Sequence, residues 1–316
     1  MQDLLVCLNI LAPIFILVGL GYLLKLLNIT NDNFIEVGSH VLFYCMLPCS
    51  LFMNLYNADF TVVWNPLLAL FVVLTHIAAV ALIALIIPRF FKQREQCGVI
   101  IQGAFRGNVI LLGLPLAFSM YGAAGMGTTS VVMAYSIPLY NILGVVILAI
   151  YSDETGGKKI NWSEILFKVI KNPLIIGTVL ALPFALLHIQ LPQFATTVIS
   201  GVGGIASTFG LIILGAQMKF SSIRQNRASI ATAVGIKLVI FPLVSLALAV
   251  ICGFNKTELG AIFILTAAPM SISSFIMASS MSHEGELAGQ MVVISTAFSM
   301  LTMLVGLYAL KLLGAI

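Results

Sequence analysis

Two short stretches hold most of the side chains in this chain that could do chemistry, and both lie inside hydrophobic runs. From Phe105 to Pro115 the sequence sets the Arg106 guanidinium, the Asn108 amide, the two glycines Gly107 and Gly113 and the helix-breaking Pro115 among leucines and isoleucines. From Leu265 to Ser274 it sets Pro269 beside the hydroxyls of Ser271, Ser273 and Ser274. A proline inside a helix deletes one hydrogen bond and collides with the preceding turn, so each run is expected to be kinked or broken. In hydrocarbon an unpaired backbone group costs several kcal/mol, and a break survives only where protein, water or a ligand satisfies it. The N-terminal ends of the resulting half-helices present free N–H groups and a partial positive charge, which suits a carboxylate. Prolines that only kink tightly packed helices are the plainer reading. Two such runs, each with polar side chains beside the break, favour a transporter substrate site.

The sign of the buried charge points the same way. Arg106 lies nine residues into its apolar run and Lys237 eight residues into another, depths of about 13 and 12 Å at 1.5 Å per residue. Each costs roughly 2.5 to 3.5 kcal/mol near a helix centre. No Asp or Glu stands in the interior of a run to neutralise them. An intramembrane cation without a partner calls for an anion that arrives from outside. Both side chains could instead snorkel to the membrane face, and for Lys237 the two readings stay open. Tyr140 and Asn141, after Pro138, and Ser50, after Pro48, are the remaining deep polar groups. They either line the same cavity or hydrogen-bond neighbouring helices together. His76 reads as a packed or interface histidine rather than a proton carrier. The candidate substrate-binding set is therefore Ser50, Arg106, Asn108, Gly113, Pro115, Tyr140, Asn141, Lys237, Pro269, Ser271, Ser273 and Ser274. No catalytic residue, metal ligand or cofactor is expected, and no nucleic-acid partner.

The elements that carry these residues follow from composition. With 60% hydrophobic and 8% charged residues and a mean hydropathy of +1.12, a water-soluble fold is excluded. Windows of about 19 residues place spans near 4–27, 34–56, 66–88, 97–120, 127–150, 165–188, 194–218, 229–252, 258–281 and 288–311. The first of these follows Asp3 and no basic residue and is too long for a signal-peptide core, so it is expected to persist as a span. The fold class is an all-α membrane protein of ten transmembrane helices embedded in a lipid bilayer.

If the N-terminus starts outside, Lys25, Arg89, Lys92, Arg94, Lys158, Lys159, Lys168, Lys171, Lys219, Arg224 and Arg227 collect on one side against Lys256 and Lys311 on the other. Eleven against two is a positive-inside signal for a cell-membrane protein with both termini extracytoplasmic. The polar stretch Ser152 to Ser163 divides the chain into five spans within 1–151, a cytoplasmic linker at 152–163 and five spans within 164–316. An odd number of spans per half makes any repeat inverted. Pro13 and Pro173, and Ala134-Tyr135-Ser136 and Ala297-Phe298-Ser299, are faint echoes of one.

Other chemistries lack their residues. Cys7, Cys45, Cys49, Cys97 and Cys252 show no C-x-x-C spacing and read as packing residues. A membrane enzyme would need a buried Asp pair, a G-x-S-x-G elbow or H-E-x-x-H, and His283-Glu284 is followed by Leu287 where a second His is required. Gly156-Gly157-Lys158-Lys159 lacks the spacing of a phosphate loop.

Several runs together resemble a known family. They are Asn108 to Pro115 in the form N-x-x-x-x-G-x-P, Leu47-Pro48, Pro138-Leu139-Tyr140-Asn141, Lys171-Asn172-Pro173, Leu214-Gly215-Ala216, Lys237-Leu238 with Pro242, and Ala268-Pro269 through Ser274. In this order, over essentially the whole chain, they resemble the auxin efflux carrier family of plant PIN-type carriers and their bacterial malate or malonate permease relatives. The resemblance implies a ten-helix inverted repeat whose broken helices four and nine cross near the midplane. It also implies a transport bundle that moves against a scaffold in an elevator-like cycle, with the substrate carboxylate near Asn108. The short Ser152–Ser163 connection lacks the long loop of the plant carriers, which favours a bacterial-type member and a dicarboxylate or other small organic acid. A sodium-coupled symporter of the bile-acid type shares the crossover logic and is the alternative; a homodimer is left open.

Overall fold

The computed structural model describes residues 2–57, 65–152, 162–218 and 220–312, and apart from one isolated bridge their regular structure is helical. Up to residue 152 the helices are α1 (Gln2–Leu26), α2 (Asp32–Val41), α3 (Leu47–Tyr56), α4 (Pro66–Ile86), α5 (Arg94–Phe105) and α6 (Val109–Ile150). From residue 162 they are α7 (Trp162–Ile170), α8 (Pro173–Leu186), α9 (Gln193–Gly204), α10 (Ala206–Gln217), α11 (Phe220–Ile223), α12 (Arg227–Gly235), α13 (Phe241–Ile251), α14 (Lys256–Ala267), α15 (Ile272–Met281) and α16 (Gly285–Leu312). Among the described residues, six helical segments are long and apolar enough to cross a membrane: Asp32–Tyr56, Pro66–Arg89, Gly127–Ile150, Gln193–Gln217, Arg227–Ile251 and Gly285–Leu310.

Helix starts follow asparagine. The side chains of Asn31, Asn65, Asn172 and Asn255 accept hydrogen bonds from the first-turn amides of α2, α4, α8 and α14, and Pro66 and Pro173 open two of these helices. Proline fits there because its missing N–H belongs to the unpaired first turn. The carboxylates Asp32, Glu95, Glu258 and Glu286 occupy first turns, where the helix dipole favours them.

Burial is one-sided on helices that are apolar all round. On α4, Leu68, Val72, His76, Val80 and Ile83 are buried while Leu67, Leu70, Leu74, Leu82 and Leu85 are exposed. An apolar outer face of this kind is at home in lipid. Glycines let backbones touch. A β-carbon on Gly21 of α1 would stand 2.0 Å from the Ile212 carbonyl of α10, and one on Gly215 would stand 2.0 Å from the Val18 carbonyl.

Two long helical runs carry a π turn. Leu42–Met46 links α2 to α3, with the Leu47 amide bonded back to the Leu42 carbonyl; Ile236–Ile240 links α12 to α13, with Phe241 bonded to Ile236. Pro48 and Pro242 follow immediately. Proline offers no N–H and would strike the carbonyl four residues before it, and the wider turn moves that carbonyl aside.

The sequence places a connection near 121–126, yet the backbone stays helical from Val109 to Ile150. Residues 121–126 include no proline and no charged residue, so nothing in them obliges the helix to end. The sequence also points to a break within Phe105–Pro115, with Gly107, Gly113 and Pro115 as its breakers, and the break is there, beside Gly107 rather than at the proline. The interruption falls at 106–108, and Gly113 and Pro115 lie within α6. Pro115 deprives only one carbonyl of a partner, whereas Gly107 and Asn108 accept non-helical backbone readily.

Candidate functional site

Two chain interruptions meet. The first, Arg106 to Asn108, separates α5 from α6, and Arg106 is extended at φ −85°, ψ 113°. The second, Ala268 to Ser271, separates α14 from α15 and contains Pro269, with Ala268 at φ −54°, ψ 140°. Each supplies what the other lacks. The Asn108 amide donates to the Pro269 carbonyl at 2.7 Å, the Ser271 amide donates to the Arg106 carbonyl at 3.3 Å, and Gly107 and Met270 form an antiparallel bridge. The Met270 amide is satisfied by the buried Ser295 hydroxyl of α16 at 3.1 Å. Ser295→Ala strands that amide, a loss of roughly 1 to 3 kcal/mol; thermal unfolding in detergent is the check, and Ser295→Thr should recover most of the loss.

A cavity of about 60 Å³ opens beside this junction. Arg106, Gly107, Asn108 and Val109 form one wall and Ser271, Ile272 and Ser273 another, so the N-termini of α6 and α15 converge on it. The remaining wall comes from Leu47, Ser50, Leu51 and Asn54 of α3, Ile137 and Tyr140 of α6, and Ser207 of α10. A larger cavity of about 220 Å³ shares Leu51, Asn54 and Ile137 with it, and its other walls are Leu55, Met133, Ala134 and Pro138 with the polar Asn57, Ser130 and Thr178. The pair thus has a polar, positively biased floor and a largely apolar antechamber.

Arg106 is 3% exposed. Its guanidinium donates to the Asn141 amide oxygen at 2.6 Å and approaches the Met277 sulfur at 3.5 Å, and both partners are neutral. Tyr140 is positioned by His76, with its hydroxyl 2.9 Å from Nε2, while Nδ1 lies 2.7 Å from the Val72 carbonyl. A carbonyl can only accept, so Nδ1 carries a proton, and in the neutral imidazole Nε2 then accepts from the Tyr140 hydroxyl. The lone pairs of that hydroxyl are left free. The Asn108 side chain makes no capping bond to α6.

The structure brings Ser50, Arg106, Asn108, Tyr140, Ser271 and Ser273 to the cavity, and holds Pro269 in the bridge behind it. Asn141 stands one layer back as the partner of Arg106, and Ser274 is buried in the first turn of α15, its hydroxyl without a protein partner. The surroundings of Gly113 and of the Pro115 ring lie outside the described residues. Lys237 does not line the cavity. Its fully buried ammonium donates instead to the Thr266 carbonyl at 2.9 Å and the Phe105 carbonyl at 3.4 Å, at the ends of α14 and α5. Asn54 and Ser207 are lining residues that the sequence reading missed. Asn54 follows Ser50 by four residues and so shares its helix face, a usable signal; Ser207 carries none.

Comparison with known proteins agrees with this architecture. The family model described as "Membrane transport protein" matches residues 6–307. An uncharacterized transporter of Methanothermobacter thermautotrophicus is 20% identical over 292 residues, spanning 92% of this chain and 94% of that one. An uncharacterized transporter of Methanocaldococcus jannaschii is 20% identical over 304 residues, spanning 93% of this chain and 95% of its own. With apolar helices of membrane-crossing length and a family match over nearly its full length, the chain is a multi-pass membrane protein that belongs to the membrane transport protein family, that of the auxin efflux carriers.

Proposed function

We propose that this protein is a secondary carrier of small organic anions and that the cavity at the two interruptions holds the substrate carboxylate. The observation that carries the reading is Arg106, a buried guanidinium at a cavity wall whose described partners are neutral. A carboxylate there would also meet the free amide of Asn108, the hydroxyls of Ser50, Ser271 and Ser273, and the converging N-termini of α6 and α15. One guanidinium at one end, and a second cavity that mixes Leu55, Met133 and Pro138 with the neutral polar groups of Asn57, Ser130 and Thr178 and has no cationic side chain among its described lining residues, suit a monocarboxylate better than a dicarboxylate. Arg106 joins Asn108, Tyr140, Ser50, Ser271 and Ser273 as contact residues in this reading, with Asn141 and Pro269 as supports.

The wider arrangement proposed is a ten-span inverted repeat, residues 1–151 and 164–316 about a cytoplasmic linker at 152–163, with both termini outside the cell membrane. In the elevator-type cycle the bridged half-helices carry the substrate past α3 and α10. A monoanion leaving a negative-inside cell gains about 2.3 kcal/mol per 100 mV, which is enough to drive export without a coupled ion.

The test is flux of labelled monocarboxylates and dicarboxylates into proteoliposomes under defined sodium, proton and potential gradients. Asn108→Ala is expected to lower monocarboxylate flux at least about tenfold, the worth of one charge-assisted hydrogen bond, with unfolding temperature unchanged. Equal flux from parent and empty liposomes for every anion overturns the reading, and flux that requires sodium selects a sodium-coupled symporter instead.

A further inference from the structure

We propose that Lys237 is a tethered monovalent cation: the carbonyl ends of α5 and α14 form a seat for a small cation, and this chain fills it permanently with its own ammonium. Both helices end at the junction, α5 at Phe105 and α14 at Ala267. The last carbonyls of a helix have no helical partners and carry about half a negative charge. Two such ends brought together in a dry interior repel each other, and a cation between them turns the repulsion into attraction.

The Lys237 ammonium stands at that point. It reaches Thr266, in the last turn of α14, at 2.9 Å, and Phe105, the final residue of α5, at 3.4 Å. The Phe241 ring covers its other side, with the ammonium 5.4 Å from the ring centre. The seat is tight. A β-carbon on Gly107 would lie 3.1 Å from the ammonium nitrogen and 3.1 Å from the Leu265 carbonyl, so the chain leaves this position without a side chain. The π turn at Ile236–Ile240 contains Lys237 and sets where its side chain departs the helix.

Carbonyl oxygens from two helix ends around a single positive charge are the chemistry of a small monovalent cation. Because the cation is covalently attached, it moves with the protein and returns with it. It stabilises the junction and contributes nothing to the driving force. The inference rests on the carrier reading only for that last consequence.

The experiment follows thermal unfolding of the purified protein in detergent, without substrate, in chloride salts of sodium, potassium, ammonium and N-methylglucamine at equal ionic strength. The parent protein should unfold at one temperature in all four. Lys237→Ala empties the seat, and should unfold earlier in N-methylglucamine and recover about 3 to 6 °C in ammonium or sodium at an ion concentration ten times the dissociation constant. Lys237→Met refills the seat with a neutral chain, and should unfold earlier in every salt without recovery. The proposal is overturned if Lys237→Ala gains nothing from any small cation, if Lys237→Met is as stable as the parent, or if the parent responds as Lys237→Ala does. Should Lys237→Ala not fold, Lys237→Ser leaves the same space and is taken through the same series. Chloride is common to all four salts and no organic anion is added, so a failure of organic-anion flux in the parent protein would leave this result standing.

Discussion

Arg106→Gln is expected to reduce anion flux in proteoliposomes by at least about 100-fold while the protein stays folded. A guanidinium offers two parallel donors to one carboxylate, and each charge-assisted bond is worth roughly 1.5 to 3 kcal/mol. Their loss corresponds to a factor of about 10² to 10⁴ in transport at low substrate concentration. Glutamine retains an amide donor for the Asn141 oxygen, which Arg106 now satisfies at 2.6 Å. Removing a buried cation also relieves roughly 2.5 to 3.5 kcal/mol of insertion cost, so the unfolding temperature should not fall. Arg106→Lys keeps the charge without the fork and should lie between parent and Arg106→Gln. Flux through Arg106→Gln within twofold of the parent takes the guanidinium out of the binding site.

Gly215→Ala should have the largest effect on stability for its size. The added methyl would lie 2.0 Å from the Val18 carbonyl oxygen, and Gly21 stands in the same relation to the Ile212 carbonyl at 2.0 Å. Backbone faces backbone at both points, so no rotamer change makes room and α1 must move away from α10. Overpacking typically costs 1 to 3 kcal/mol and more where the neighbour cannot yield. A loss of about 3 kcal/mol lowers the unfolding temperature by roughly 6 to 12 °C. Gly21→Ala with Gly215→Ala should cost less than the sum, because helices already parted by one methyl admit the second. Gly19→Ala is the control: its β-carbon meets nothing within 4 Å, and alanine gains about 0.5 to 1 kcal/mol over glycine in a helix. Equal melting of Gly19→Ala and Gly215→Ala would remove close backbone packing as the reason for the glycine.

The helical class and the interruption at Pro269 are legible because each has a local cause. A chain this apolar must satisfy its backbone internally, and a proline marks its own break. The first interruption is not marked by its proline. Pro115 is seven residues past the last non-helical position, Asn108, and what places the break is the pairing of Arg106 and Asn108 with residues some 160 positions on. Ser50 could be named from its depth beside Pro48, whereas Ser207 reaches the cavity only through the packing of α10. Lys237 shows the limit most clearly. Depth along a helix says that a cation is buried, but not which groups it meets, and here these are the carbonyls of Phe105 and Thr266.

The antiparallel bridge between Gly107 and Met270 has a mechanical corollary. Main-chain hydrogen bonds from Asn108 to Pro269 and from Ser271 to Arg106 rivet four half-helices into one body, since neither strand can slip without stranding amides in a dry interior. Arg106, Asn108, Ser271 and Ser273 therefore keep their mutual geometry whatever that body does. The cavity's other wall, Ser50 and Asn54 of α3 with Ser207 of α10, is joined to it by neither of these rivets. In the elevator-type cycle proposed above, opening and closing the chamber would be shear between these two walls, and a carboxylate held by the riveted side would ride through the displacement without changing its grip.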